Sequence, residues 1–327
     1  MIRISYINKK GDIVLFGVEE TAYGTISAAI DRIVGEVTSF TAPTYDRKLS
    51  VDHQISTTDP SSYKEDVQDY TGGKIEVVFR RGDILEYLVG ASSDTAVGDA
   101  DDHTVTPSDI LLSLSIALAR YDSTGTIVVR EVYLGSVITS ATLSCKKGQN
   151  VTLSIGFECK EVESDSTATV ATYFTDDPIL FKGSTLTLTP AVGSATAVST
   201  ITDFVWNFKR EISVAKQLNS LLPSHKCSGN WNSDCSFSFY FIDTDELKAF
   251  HGGDGSQDSP ATEYSLDFVV TNGLTLANER TIQIRGSSSK LGTFSYGDDG
   301  GFVTGALTAI IKSMDLVITD ATTDWDA

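Results

Sequence analysis

One stretch of this chain occurs twice in degenerate form, and that constrains the fold more than any single motif does. V-T-S-F-T-A-P-T-Y-D-R-K-L-S-V-D-H-Q (Val37 to Gln54) returns as I-T-D-F-V-W-N-F-K-R-E-I-S-V-A-K-Q (Ile201 to Gln217). Phe40 aligns with Phe204, Arg47 with Arg210, Leu49-Ser50-Val51 with Ile212-Ser213-Val214, and Gln54 with Gln217. Further on, F-R-R-G-D-I-L-E-Y-L-V-G (Phe79 to Gly90) aligns with F-I-D-T-D-E-L-K-A-F-H-G (Phe241 to Gly252), pairing Asp83 with Asp245 and Leu85 with Leu247. The spacing stays near 163 residues with one small gap, then falls to about 152 at the Gly148 and Gly300 turns. Repeated units usually solve a geometric problem, such as a ring, a stack or an array.

Within each unit the pattern is that of strands. Ile75, Val77 and Phe79 alternate with Lys74, Glu76 and Arg80, and Val151, Leu153, Ile155 and Phe157 alternate with Thr152, Ser154 and Glu158. In the second unit Phe237, Phe239 and Phe241 alternate with Ser236, Ser238 and Tyr240. A period of two is the mark of antiparallel sheet with one face on a core. Each unit also carries one short helix candidate. The first is Asp83 to Val89, capped by Asp83 and ended by Gly90; the second is Asp245 to Phe250, ended by Gly252 and Gly253. Long polar segments, Ile55 to Gly73 and Leu218 to Ser233, read as loops between the first two strands of each unit, and Ser92 to Pro107 reads as another. The opening Gly17 to Thr25 has no counterpart in the second unit by sequence. The expected fold is mainly β: two tandem antiparallel β-sandwich or barrel domains, each with one short helix. The expected divisions are an N-terminal arm over 1–36, a first domain over 37–162, a linker over 163–184 and a second domain over 185–327. A chain of 327 residues has room for two such cores.

Charge excludes one class of partner interaction. Against 25 Lys and Arg stand 44 Asp and Glu, a net charge of −19, so tight binding of nucleic acid through phosphate neutralisation is not expected. A surface that repels phosphate still suits a neighbour along which DNA must slide. No secretory leader is read at Met1 to Asp12, and the apolar run Ile110 to Ala119 is too short for a bilayer helix. Cys145, Cys159, Cys227 and Cys235 form no C-x-x-C pair. They are read as free thiols, although Cys227 and Cys235 flank S-G-N-W-N-S and could face each other.

Catalytic signals are missing. His53, His103, His225 and His251 have no metal-ligand spacing, and no nucleophile elbow, Walker loop or dinucleotide fingerprint occurs. The acidic run Asp94 to Asp102 lacks the glycine and closing glutamate of a calcium loop and is read as solvated. Asn150-Val151-Thr152 matches a glycosylation sequon with no secretion signal beside it. A carbohydrate-binding or hydrolysing β-sandwich is the alternative from another class; the scatter of Trp206, Trp231 and Trp325 argues against it. No enzyme activity, cofactor or metal is expected.

The N-terminal G-V-E-E-T-A-Y-G-T (Gly17 to Thr25) resembles the E-T-x-Y-G-T opening of the tail tube proteins of tailed phages and archaeal tailed viruses. The hairpin Ile138 to Ser144, Lys147-Gly148-Gln149, Val151 to Phe157 is similar to that family's closing hairpin, with Asp299-Gly300-Gly301 and Val303 to Ile311 in the same role in the second unit. The resemblance implies a structural virion protein, a tube subunit whose sheets join those of its neighbours into a barrel. Stacked rings of that barrel form the channel for viral DNA. It implies self-assembly, as a trimeric ring with pseudo-six-fold symmetry or as a plain hexamer, assembled in the host cytoplasm into the virion tail. Implied partners are the tail terminator, tape measure and baseplate proteins, with DNA passing without tight binding and no membrane. Another tail or baseplate component, or an injection-system inner tube, is the neighbouring alternative. Contacts between stacked rings are expected from the long loops, at Asp59, Pro60, Tyr63, Lys64, Glu65 and Asp66 in the first unit and at Leu221, Pro223 and His225 in the second.

Overall fold

The computed structural model describes residues 13–46, 49–53, 60–65, 69–97, 100–121, 127–164, 179, 184–191, 195–198, 200–215, 222–240, 263–274 and 279–320. In chain order the strands of the first half are β1 (Ile13–Glu19), β2 (Ile30–Arg32), β3 (Gly35–Thr41), β4 (Thr44–Asp46), β5 (Leu49–His53), β6 (Pro60–Glu65), β7 (Asp69–Phe79), β8 (Gly90–Val97), β9 (Ala100–Pro107), β10 (Leu114–Tyr121), β11 (Ile127–Lys146), β12 (Thr152–Cys159) and β13 (Glu161–Ser164). Those of the second are β14 (Thr185–Pro190), β15 (Thr196–Ala197), β16 (Ile201–Ala215), β17 (His225–Tyr240), β18 (Glu263–Thr271), β19 (Thr281–Asp299), β20 (Phe302–Ile311) and β21 (Met314–Asp320). The protein is mainly β, as its alternation requires.

A broad antiparallel sheet runs β3/β4, β7, β12, β11, β16, β17, β20, β19. Its odd-even pattern decides which face is dry. Ile75, Val77, Leu153, Ile155, Leu143, Phe204, Trp206, Phe237 and Leu307 are all buried, whereas the residues between them, Val205 apart, are polar or small. The pairing order of the first four positions, β3–β7–β12–β11, recurs in the second four, β16–β17–β20–β19.

Two further runs pack behind the dry face. One is β2–β1–β10–β11–β13. The other is β15–β14–β18–β19–β21–β9–β8. The long strands β11 and β19 therefore serve both layers. In β11 the change of layer falls at Gly135, whose φ of +60° only glycine adopts readily. Here too the order recurs, since β1–β10–β11–β13 matches β14–β18–β19–β21. The repeat is thus larger than sequence alignment suggests. Strand β1, without a counterpart by sequence, has one in β14. IVLFGVE is buried at four successive positions, Val14 to Gly17, and TLTLTP only at Leu186 and Leu188, so the two strands share a place in the pairing order and hardly a residue. One contiguous core spans both halves, from Val14 and Ile75 to Leu316 and Ile318.

The polar segments contain more order than expected. Within 55–73, β6 pairs with β5 in a separate hairpin, and β7 has already begun at Asp69. Within 218–233, β17 starts at His225 and pairs with β16. The segment 92–107 is the β8–β9 hairpin rather than a loop. It looks polar because Asp101 and His103 occupy buried inward positions, with Val105 the apolar residue beside them.

The helix over Asp83 to Val89 exists as a 3-10 turn, Asp83–Leu85, running into α1 (Glu86–Val89). Gly90 ends it at φ +138°. Asp83 does not cap it, however. The N-cap is Gly82, and the buried Asp83 carboxylate accepts from the Ile84 N–H and pairs with Arg81 at 3.2 Å. The second helix candidate lies outside the described residues, as does most of 163–184. Cys227 and Cys235 sit on the same strand, β17. At ~3.3 Å per residue their Cα atoms are roughly 26 Å apart, so they cannot bridge.

Candidate functional site

The broad sheet exposes a polar face opposite its core. A groove of about 700 Å³ lies on its first half, over β3, β7, β12 and β11, lined by Thr38, Lys74, Glu76, Thr142, Ser154 and Glu158 among others. A chain of polar contacts connects the two halves over this face. Thr142 donates to Asn207 at 3.0 Å, and Asn207 donates to Asp234 at 2.9 Å. Lys226 reaches Glu158 at 3.4 Å, and Lys74 pairs with Glu76 at 2.7 Å. Strand alternation also puts Lys146, Asp203 and Lys209 on this side. The face is therefore rich in hydroxyls, and its cations are interleaved with carboxylates. Such a surface gives a polyanion few unpaired cations to hold.

The seam between the halves is the β11–β16 pairing. Ala141, Leu143 and Cys145 stand opposite Phe208, Trp206 and Phe204, and all six are buried. Trp206 donates its indole N–H to Ser233 at 2.9 Å, and Phe204 stacks on Phe268 at 3.6 Å. The two ends of the same sheet lack such cover. Strand β3 pairs with β7 alone, and residues 291–299 of β19 pair with β20 alone among the described residues. Tyr296 at one end is 60% exposed, and Phe302 and Val303 beside it are 67% and 53% exposed.

Three buried polar groups fix this arrangement from behind. Glu20 is saturated: it accepts from the Gly24 and Gly135 N–H groups, each at 2.8 Å, and from the Ser113 and Ser115 hydroxyls at 2.9 and 3.0 Å. It thereby ties the E-T-A-Y-G-T turn to the corner of β11. Lys160 closes the turn by donating to the Tyr23 carbonyl and lying over the Tyr23 ring.

Arg210 of β16 reaches back into the first half. Its guanidinium donates to the carbonyls of Val89, Ser108 (2.9 Å) and Ile110 (3.2 Å). Burial lowers its pKa, and Asp109 opposes that.

His103 of β9 lies between Asp94 at 2.7 Å and Asp320 of β21 at 3.3 Å. Burial alone would lower its pKa, but the two carboxylates raise it to about 9. Burial pushes the Cys145 and Cys159 thiols up to about 12, far from a reactive thiolate.

A family model described as phage tail tube protein matches residues 11–275. The chain belongs to the phage tail tube protein family. A search of curated proteins finds no match. Family membership makes this a structural tail component, and it gives the polar face and the open edges of the sheet a context in self-assembly.

The residues expected at ring contacts are scattered. Pro60, Tyr63, Lys64 and Glu65 lie in β6, opposite His53, Val51, Ser50 and Leu49 of β5. Pro223 is buried, just before β17, and His225 opens that strand opposite Ala215. Asp59, Asp66 and Leu221 lie outside the described residues. Sequence reasoning did not single out Glu20, Arg210 or His103 for these roles. Glu20 lay inside the E-T-A-Y-G-T motif and Arg210 inside the repeat, so each carried a signal. Nothing marked His103, whose partners are nine and more than two hundred residues away. Among the described residues no group of three His, Cys, Asp or Glu could hold a metal ion.

Proposed function

We propose that this chain is the subunit of the tail tube itself, and that each copy fills two of the six positions in a ring. Three chains then close one ring, and stacked rings make the channel through which viral DNA leaves. One observation carries this reading. The strand order β3–β7–β12–β11 is followed, across a seam of ordinary antiparallel pairing, by the same order in β16–β17–β20–β19. A unit that docks on its own repeat inside the chain is built to dock on further copies outside it. Closing the sheet into a barrel also removes both exposed strand edges.

In such a barrel the polar face lines the lumen and the dry face packs outward. Glu76, Glu158, Asp203 and Asp234 are then the carboxylates that DNA passes, among Ser and Thr hydroxyls. The β5–β6 hairpin, with Pro60, Tyr63, Lys64 and Glu65, and the segment around Pro223 and His225 reach toward the next ring. Tail terminator, tape measure and baseplate proteins meet the ends and interior of the finished tube, which is assembled in the host cytoplasm and carried in the virion tail.

Negative-stain microscopy of the purified protein tests this. Rods or stacked rings are expected, each ring having three times the 35.2 kDa chain mass. A protein that stays monomeric under every assembly condition would contradict it.

A further inference from the structure

Resting on the tube-subunit reading, the strand register allows the joint between chains to be specified. We infer that the 291–299 edge of β19 accepts the β3–β4 edge of a second copy as its next antiparallel strand, with Tyr296 opposite Ala42, Phe294 opposite Thr44 and Asp298 opposite Phe40. The occupant of each open edge is therefore the other edge of the same protein.

The register follows from equivalences within the chain. Phe40 pairs with Ile75 as Phe204 pairs with Phe237, which makes Phe40 the equivalent of Phe204 and Ala42 that of Trp206. Leu153 pairs with Val77 as Gly305 pairs with Phe239. Leu143 pairs with Leu153 as Tyr296 pairs with Gly305, which makes Tyr296 the equivalent of Leu143. Inside the chain Leu143 faces Trp206. Between chains the same place brings Tyr296 to Ala42. The large residue has changed sides, and the joint keeps one large partner and one smaller one.

Exposure agrees with this assignment. Leu143 is fully buried at the seam, and Tyr296, its equivalent, stands in solvent. Val151 is fully buried, and Val303, which stands 152 residues on as Gly305 does from Leu153, is more than half exposed. Ala42 and Thr44 are exposed where Trp206 and Phe208 are covered.

Backbone donors agree as well. At the seam the Lys147 N–H donates to the Thr202 carbonyl at 2.9 Å. Hydrogen-bonded pairs alternate in antiparallel sheet, so Leu143 and Trp206 also form one. By equivalence the N–H and C=O of Phe40, Ala42 and Thr44 point away from β7, toward an incoming strand. Pro43, which has no N–H, points its backbone toward β7. There it accounts for the break between β3 and β4 and takes no donor from the outer edge.

Disulfide trapping tests the register. In a Cys227→Ser background, Tyr296→Cys is combined with Ala42→Cys and the protein is oxidised after assembly. A hydrogen-bonded antiparallel pair has Cα atoms about 5.5 Å apart, within disulfide range. Covalent dimers and trimers are expected, with little link from the off-register pair Tyr296→Cys and Phe40→Cys. Tubes that form without the in-register link, or that link better off register, overturn the inference and leave the tube reading standing. No assembled particle from any variant or from the parent overturns both. As a second arm, Tyr296→Lys is expected to abolish rings while circular dichroism and the melting temperature of the monomer stay unchanged. Normal ring formation by Tyr296→Lys would also overturn the register.

Discussion

The seam at β11–β16 and the open edges at β3/β4 and β19 are the same kind of strand in two conditions. At the seam, Leu143 and Trp206 are dry and Trp206 has a partner for its indole N–H. At the edges, the equivalent positions hold Tyr296 and Ala42, both in solvent. The difference shows where selection has placed stability and where it has placed assembly. A seam that forms during folding can carry large apolar side chains, because they are never exposed once the chain is native. An edge that waits for a partner must stay soluble, so it carries smaller or amphipathic residues such as Ala42, Thr44 and Tyr296.

That contrast can be broken first at the seam. Trp206→Ala removes a fully buried indole between the halves and should cost about 4 kcal/mol of stability, read as a lower denaturant midpoint. A loss under 1 kcal/mol would mean that the seam holds the halves together far less tightly than its burial suggests. Arg210→Ala comes next. It leaves the carbonyls of Val89, Ser108 and Ile110 without their shared donor and should cost about 3 kcal/mol. Arg210→Lys should recover only part of this, since one ammonium cannot span the three acceptors as a guanidinium does.

The β9–β21 contact is a second place where the halves meet, and it should depend on pH. The folded-state pKa of His103 is raised to about 9, above the ordinary value near 6.5. Its contribution is therefore complete below about pH 6.5 and is lost as pH rises through about 9. A loss of about 3 kcal/mol is expected over that window, seen as a falling melting temperature that His103→Asn flattens. A wild-type melting temperature constant from pH 6.5 to 9.5 would remove His103 from this role. The smallest effect is expected at the open edge. Tyr296→Lys should change monomer stability by less than about 0.5 kcal/mol while abolishing rod formation in sedimentation assays. Equal damage to stability at Tyr296 and at Trp206 would erase the contrast between edge and seam.

Much of the fold was legible because alternation is written residue by residue. Ile75, Val77 and Phe79 read as one face of a strand and are one. The repeat was legible only where side chains are shared, from Phe40 and from Phe79 onward, and not at β1 and β14, which share only a place in the pairing order. The β8–β9 hairpin read as a loop because its buried face is built from Asp101 and His103, whose burial depends on Asp320 across the molecule. Such long-range satisfaction leaves no local trace. The candidate site was less legible still. The polar face is a property of six strands laid side by side, and no one of them marks it. Glu20 stood in a recognised motif, but its four donors come from Gly24, Ser113, Ser115 and Gly135, which only the folded chain brings together.

The central claim is that one chain supplies two of six ring positions. Cryo-electron microscopy of assembled tubes counts the chains in each ring directly. Three chains per ring, with alternating β11–β16 and β19–β3 joints around the barrel, is the predicted result. Six chains per ring, with the second half of each chain standing outside the barrel, would contradict it.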